Sequence, residues 1–86
     1  MESRVALLAI IVHDEKAVSE LNNVLHTYGK YIIGRMGIPY REKGINIISI
    51  AIDASEETIS AITGKIGNID GVNIKTAYSN VITKAE

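Results

Sequence analysis

The sequence contains no cysteine, no phenylalanine and no tryptophan, and it has a single proline among 86 residues. The absence of cysteine excludes disulfide bonds and cysteine-ligated metal sites. Apolar runs stay far below the roughly 20 residues that a membrane-spanning helix needs. Lysine and arginine are scattered and the formal net charge is −1, so no basic patch for nucleic acid is indicated. We therefore expect a cytoplasmic protein that makes no direct contact with membranes or nucleic acid.

Hydrophobic residues make up 47% of the chain and charged residues 22%, a balance that predicts a folded protein. The length is that of one small domain, which we expect to span residues 1–86. Isoleucine dominates the apolar set, and β-branched side chains pack well on a pleated surface. The composition therefore favours a sheet with helices packed on it.

Four segments read as strands. Continuous apolar runs over 5–12 and 45–52 are typical of central strands that are covered on both faces. The segment 31–39 contains two glycines and ends at the only proline, and the segment 72–79 alternates in polarity. Both patterns indicate edge strands. The residues 80–86 are expected to form a tail.

Two segments with apolar residues at helical spacing lie between these strands. Asp14 is the predicted N-cap of the first helix, and either Asp53 or Ser55 caps the second. The order βαββαβ predicts a ferredoxin-like α+β sandwich. Right-handed crossovers give a four-stranded antiparallel sheet of order 4-1-3-2 with both helices on one face.

That arrangement leaves the other face of the sheet without a cover. Yet the first strand places Val5, Leu7, Ala9 and Ile11 on one side and apolar residues on the other side as well. Soluble monomers rarely expose an apolar patch of this extent. We therefore expect a homodimer or homotetramer that forms through the helix-free face.

The segment from Gly34 to Tyr40 is the strongest candidate site. Glycine inside a strand often marks a bulge or a close backbone approach, and Gly34 and Gly37 lie three residues apart. Simple alternation places Ile32, Met36 and Ile38 on one face of this strand and Ile33, Arg35 and Gly37 on the other. Two interpretations stay open: a ligand or interface site that uses Arg35, Met36 and Tyr40, or an edge strand bent to fit a neighbouring subunit.

His13 and Asp14 complete the candidate set because they lie at the turn between the first strand and the first helix, where ligand sites occur in such sheets. Neither His13 nor His26 has a second histidine at ligand spacing, so we expect no metal site. The acidic pairs at the helix starts are explained by the helix dipole, and no serine lies in a nucleophile motif. We expect no cofactor and no catalytic residues.

The residues from Ile33 to Ile45 resemble the signature of the iron-only hydrogenase system regulators, and the likeness extends over nearly the whole chain. Proteins of this family are similar in fold to ACT domains and to the C-terminal domain of the nickel-responsive regulator. The resemblance implies regulation in hydrogen metabolism through a small effector or a protein contact. The Asp-x-Pro-Gly turn of amino-acid-binding ACT domains is replaced here by Asp14-Glu15-Lys16-Ala17, and the nickel ligands and the DNA-binding arm of the nickel regulator are absent.

Three functions remain in competition. The preferred one is a self-associating regulatory module that binds an effector or a regulatory protein and has no DNA-binding domain of its own. The second is a small enzyme of the acylphosphatase type, which would need a phosphate-binding glycine loop where this chain has His13-Asp14-Glu15-Lys16. The third is a purely structural assembly subunit.

Overall fold

Six elements of regular structure follow one another in the computed structural model, which describes residues 2–84. They are β1 (Glu2–Val12), α1 (Ala17–Thr27), β2 (Ile32–Tyr40), β3 (Ile45–Ala54), α2 (Glu56–Gly67) and β4 (Val72–Lys84). Short 3₁₀ turns at Gly29–Tyr31 and Arg41–Lys43 lead into β2 and β3. The strands form one antiparallel sheet of order β2-β3-β1-β4. The predicted ferredoxin-like α+β fold is confirmed, including its central and edge strands.

The core lies between the two helices and one face of the sheet. On β1 the even-numbered residues from Ala6 to Val12 are buried, and on β3 the even-numbered residues from Ile48 to Ala54 are buried. They join the apolar stripes of the helices in a single cluster, in which Leu21 and Leu25 come from α1 and Ile59, Ile62 and Ile66 come from α2. The strict alternation along β1 and β3 means that their odd-numbered residues face away from the helices.

Helix α1 starts later than the sequence predicts. Its N-cap is Lys16, which makes no side-chain capping bond. The Asp14 carboxylate instead accepts a hydrogen bond from the Lys16 N–H at 3.0 Å, and the Asp14 carbonyl accepts one from Ala17 N–H at 2.9 Å. The prediction that Asp14 caps the helix is wrong, because this aspartate closes a turn that precedes the helix.

Helix α2 begins at the second of its two predicted caps. The Ser55 hydroxyl accepts a hydrogen bond from the Thr58 N–H at 3.2 Å. Asp53, the alternative cap, belongs to β3 and pairs with Val5. Glu56 and Glu57 occupy the first turn, where the helix dipole favours negative charge.

The predicted tail over 80–86 is wrong for the residues described, since β4 continues to Lys84. The reason lies in β1, which begins at Glu2 and not at Val5, so the end of β4 gains a partner: Glu2 pairs with Lys84. A register shift between Arg4 and Ala6 lets β4 accommodate its extra residues. The last two residues, 85–86, lie outside the described part of the chain.

Candidate functional site

The face of the sheet opposite the helices, which we call the open face, is not covered by any helix or strand of residues 2–84. Residues paired across antiparallel strands share a face, so the register defines its membership. The open face consists of Val5, Leu7, Ala9 and Ile11 of β1, Ile47, Ser49, Ala51 and Asp53 of β3, Gly34, Met36, Ile38 and Tyr40 of β2, and Asn73, Lys75 and Ala77 of β4.

Most of the exposed large apolar side chains of the described residues lie on this face. They are Leu7, Ile11, Met36, Ile38, Tyr40 and Ile47. Met36 is 63% exposed and Leu7, near the middle of β1, is 46% exposed. Exposed apolar side chains grouped on one face are typical of interaction surfaces.

A bulge in β2 decides which candidate residues reach the open face. Ile32 pairs with Ile52, but Gly34 pairs with Ala51, so Ile33 is inserted between them. The insertion moves Gly34 and Met36 onto the open face while Ile32 stays on the helix side. The prediction that Ile32, Met36 and Ile38 share a face is therefore wrong for Ile32, because simple alternation does not allow for the bulge.

Arg35 and Gly37 lie on the helix side of β2, where they pair with buried Ile50 and Ile48. The Arg35 guanidinium donates a hydrogen bond from Nη2 to Asn22 Oδ1 of α1 at 3.0 Å. The exposed Arg35 side chain thus connects β2 to α1 through this hydrogen bond. The structure separates Arg35 from Met36 and Tyr40, which lie on the opposite face of the same strand.

Tyr40 lies at the end of β2. Its hydroxyl donates to Glu42 Oε2 at 3.2 Å. A cleft of about 350 Å³ opens here and is lined by residues that include Glu15, Tyr40, Arg41 and Asn46. In this cleft, residues of the candidate strand and of the turn before α1 line the same cavity.

His13 and Asp14 lie at the same end of the sheet, but they contact the start of β4. His13 Nε2 lies 2.6 Å from Asn73 Oδ1, and the His13 N–H donates to the Gly71 carbonyl at 2.8 Å. Gly71 adopts a left-handed φ of 83°, and a Cβ there would come within 2.4 Å of Asp14 Cβ. The turn after β1 is therefore fixed against the start of β4, and the side chains of His13 and Asp14 already have hydrogen-bond partners.

The sequence gives no direct signal for two further residues that matter on the open face. Asp53 reads as a helix cap and Lys75 as an ordinary exposed lysine, because both assignments depend on strand register. Asp53 Oδ1 is buried and accepts no hydrogen bond from the residues that the structure describes. A second cleft of about 270 Å³ lies beside it, at the opposite end of the sheet from Tyr40.

Residues 2–84 contain neither a membrane-spanning helix nor a cluster of metal-ligating side chains. No helix in this range is long and apolar enough to cross a bilayer. Within the same range, no three side chains of histidine, cysteine, aspartate or glutamate come together in a way that could hold a metal ion.

Comparison with solved structures places this fold among known proteins. The structure of protein TM1266 from Thermotoga maritima matches with a TM-score of 0.85 and 38% sequence identity over 88% of this chain and 96% of that one. A formyltetrahydrofolate deformylase from Pseudomonas putida KT2440 matches with a TM-score of 0.65 at 10% identity, over 90% of this chain and 29% of the deformylase. The second likeness shows the fold alone.

A search of curated proteins returned no match. A family model, TM1266-like, with the description "Iron-only hydrogenase system regulator, putative", matches residues 4–76. The match covers β1 through the first residues of β4 and includes the whole of the candidate strand β2. Together with the extent of the likeness to the Thermotoga protein, it confirms the resemblance seen in the sequence: the chain belongs to the TM1266-like family.

Proposed function

We propose that this chain is a non-catalytic regulatory module of an iron-only hydrogenase system, which associates with itself through the open face and acts by binding an effector or a regulatory protein. Membership of a family described as regulators supports the regulatory role. The proposal of self-association depends on one observation, the apolar open face, on which Leu7, Met36 and Ile38 are all exposed. Removing such side chains from water is favourable by roughly 25 cal/mol per Å² of apolar surface, a gain that opposes the entropic cost of association.

The effector or partner protein is proposed to bind near the subunit boundary. Met36 and Tyr40 border the open face on the edge strand, and the cleft beside Tyr40 opens at its end. A ligand there would contact both the edge strand and the turn before α1. Because Tyr40 also belongs to the open face, the ligand would lie at the boundary with a second copy, and its binding would depend on how the two copies are arranged.

The acylphosphatase alternative finds little support in the geometry. That chemistry would bring a guanidinium to a phosphate loop between β1 and α1. Arg35 instead donates a hydrogen bond to Asn22. Across the sheet it is level with Leu8 of β1, four residues before the end of that strand, which corresponds to about 13 Å. A structural assembly role makes the same demand on the open face as a regulator does, so the two must be separated by experiment.

The test is genetic complementation in a host that possesses an iron-only hydrogenase and a gene of this family. Deleting the gene should change hydrogenase activity or the level of its transcripts, and the unmodified chain should restore both. Leu7→Glu, which places a charge in the middle of the open face, should fail to restore them. Ile82→Glu is the matched control because Ile82 pairs with Arg4 on the helix side of the sheet and is exposed to a similar degree.

A screen for effectors complements the genetics. Small metabolites, divalent metals and hydrogenase-maturation proteins are added to the purified chain, and thermal unfolding is followed, because a ligand that binds the folded state raises its apparent stability. A deletion without effect on hydrogenase activity and transcripts would refute the regulatory role. Normal regulation restored by Leu7→Glu would separate that role from self-association, and turnover of an acyl phosphate that is lost in Arg35→Gln would revive the enzyme.

A further inference from the structure

The open face carries one acidic and one basic side chain, Asp53 and Lys75, among otherwise apolar or uncharged residues. The face as a whole is therefore neutral. When such a face meets a copy of itself across a two-fold axis, the acid of each copy can contact the base of the other, so the same ion pair forms twice. One acid and one base are the smallest set of charges with which a face can be complementary to a second copy of the same face.

The register fixes where these two charges lie. Asp53 is on β3 and pairs with Val5 of β1, whereas Lys75 is on β4 and pairs with Ala9 of β1. Because β3 and β4 flank β1, the midpoint between the two charges falls on β1 at Leu7. By the spacings of strands and residues in a sheet, the Cα atoms of Asp53 and Lys75 lie about 16 Å apart.

Asp53 also needs a partner that the described residues do not provide. Its Oδ1 is buried and accepts no hydrogen bond from any of them. A carboxylate that is partly removed from water is stabilised by a nearby cation. The ammonium group of Lys75 on the same chain is too far away to serve. On a second copy it can approach the other carboxylate oxygen, Oδ2, because Oδ1 is already covered by its own chain.

We infer that the open face is covered by the open face of a second copy, with the two-fold axis passing beside Leu7 and Asp53 of each copy paired with Lys75 of the partner subunit. This inference rests on the proposed self-association and specifies its geometry. Leu7 then meets its own counterpart, and the small residues Ala9, Ala51 and Ala77 around it leave room for that contact.

The dimensions agree with this arrangement. Packed sheets lie about 10 Å apart, a gap that a lysine stem and an aspartate carboxylate can bridge together. The open face measures roughly 20 Å by 25 Å, so two copies cover a flat footprint of about 1,000 Å² in total. Accessible area exceeds a flat footprint because side chains stand out from it, so the buried area approaches the roughly 1,200 Å² at which stable specific interfaces begin.

Charge reversal tests the pairing. Lys75→Glu would place two acids together at both ends of the interface, and sedimentation equilibrium should show dimer affinity at least tenfold weaker than that of the unmodified chain. Lys43→Glu, which makes the same change of charge in the turn before β3, should leave the affinity unchanged. Adding Asp53→Asn to Lys75→Glu should restore much of the affinity, because the repulsion is removed.

Chemical crosslinking tests the position of the axis, and the absence of native cysteine makes single-cysteine variants clean probes. Leu7→Cys should be joined to its own copy by a short bis-maleimide. Ile11→Cys is the control on the same strand and the same face. Since Ile11 lies about 13 Å further along β1, the inferred axis separates its two copies by roughly 20 Å, beyond the reach of the reagent.

The outcomes separate the inference from the proposed function on which it rests. An unmodified chain that is monomeric would remove both. A dimer that Lys75→Glu weakens no more than Lys43→Glu does, or that is crosslinked at Ile11→Cys and not at Leu7→Cys, would overturn this geometry and leave self-association standing. A circular dichroism spectrum matching that of the unmodified chain confirms that each variant is folded.

Discussion

Replacing Gly71 by alanine is expected to destabilise the protein strongly through the turn that follows β1. Gly71 has a φ of 83°, a conformation that side chains with a Cβ adopt only at a cost. A Cβ at this position would also come within 2.4 Å of Asp14 Cβ and 3.4 Å of the Asp14 Cα and backbone nitrogen. The substitution therefore pushes on the same segment that holds His13 against the Gly71 carbonyl.

Two contributions set the magnitude. The left-handed backbone costs a residue with a Cβ about 1–2 kcal/mol. Displacing the backbone of Asp14 to make room is an overpacking cost of about 1–3 kcal/mol. The expected loss in the free energy of unfolding is about 2–5 kcal/mol, a large share of the roughly 4–13 kcal/mol expected of a domain this size.

Gly44→Ala is the matched control. Gly44 has a φ of 64°, and a Cβ there would meet nothing within 4 Å, so only the backbone contribution applies. Urea denaturation followed by circular dichroism, at one fixed protein concentration, measures both variants. Gly71→Ala should lose clearly more stability than Gly44→Ala; equal losses would show that the Asp14 contact exerts no strain.

Three further substitutions test the packing, again by urea denaturation. Gly64→Ala in α2 should stabilise the protein by about 0.5–1 kcal/mol, since the added methyl meets nothing within 4 Å; a destabilised variant would contradict this. Ser55→Ala removes the cap of α2 and should cost about 1 kcal/mol, whereas Lys16→Ala, at a cap without a side-chain bond, should cost almost nothing; equal effects would refute the capping role. Ile62→Ala should cost about 2–5 kcal/mol because Ile62 is 1% exposed, and a loss below 1 kcal/mol would contradict its place in the core.

The architecture could be predicted from hydrophobic patterning because the two kinds of strand differ in sequence. Continuous apolar runs identify the central strands, and the glycines and the proline identify β2 as an edge. The ends of the strands were harder to predict from the sequence. The end of β4 is strand only because β1 begins at Glu2 and supplies a partner, and such long-range pairing leaves no local pattern.

The positions of the candidate residues in the sheet, but not their role, could be predicted in part. Gly34 does lie next to a bulge, as its position inside a strand indicated, and Met36 and Tyr40 reach the open face. Arg35 is hydrogen-bonded to Asn22 of α1 on the helix side of the sheet. This contact depends on how the helix packs against the sheet, which the spacing of residues in the sequence does not show. Asp53 and Lys75 become related only through their common partner strand β1, which sequence spacing does not show.

Sedimentation equilibrium of the unmodified chain at micromolar concentration, beside Leu7→Glu and Ile82→Glu, tests the central claim most directly. The account predicts a dimer or a multiple of it for the unmodified chain and for Ile82→Glu, and a folded monomer for Leu7→Glu. A monomeric unmodified chain, or a Leu7→Glu variant that associates as tightly as the unmodified chain, would contradict it.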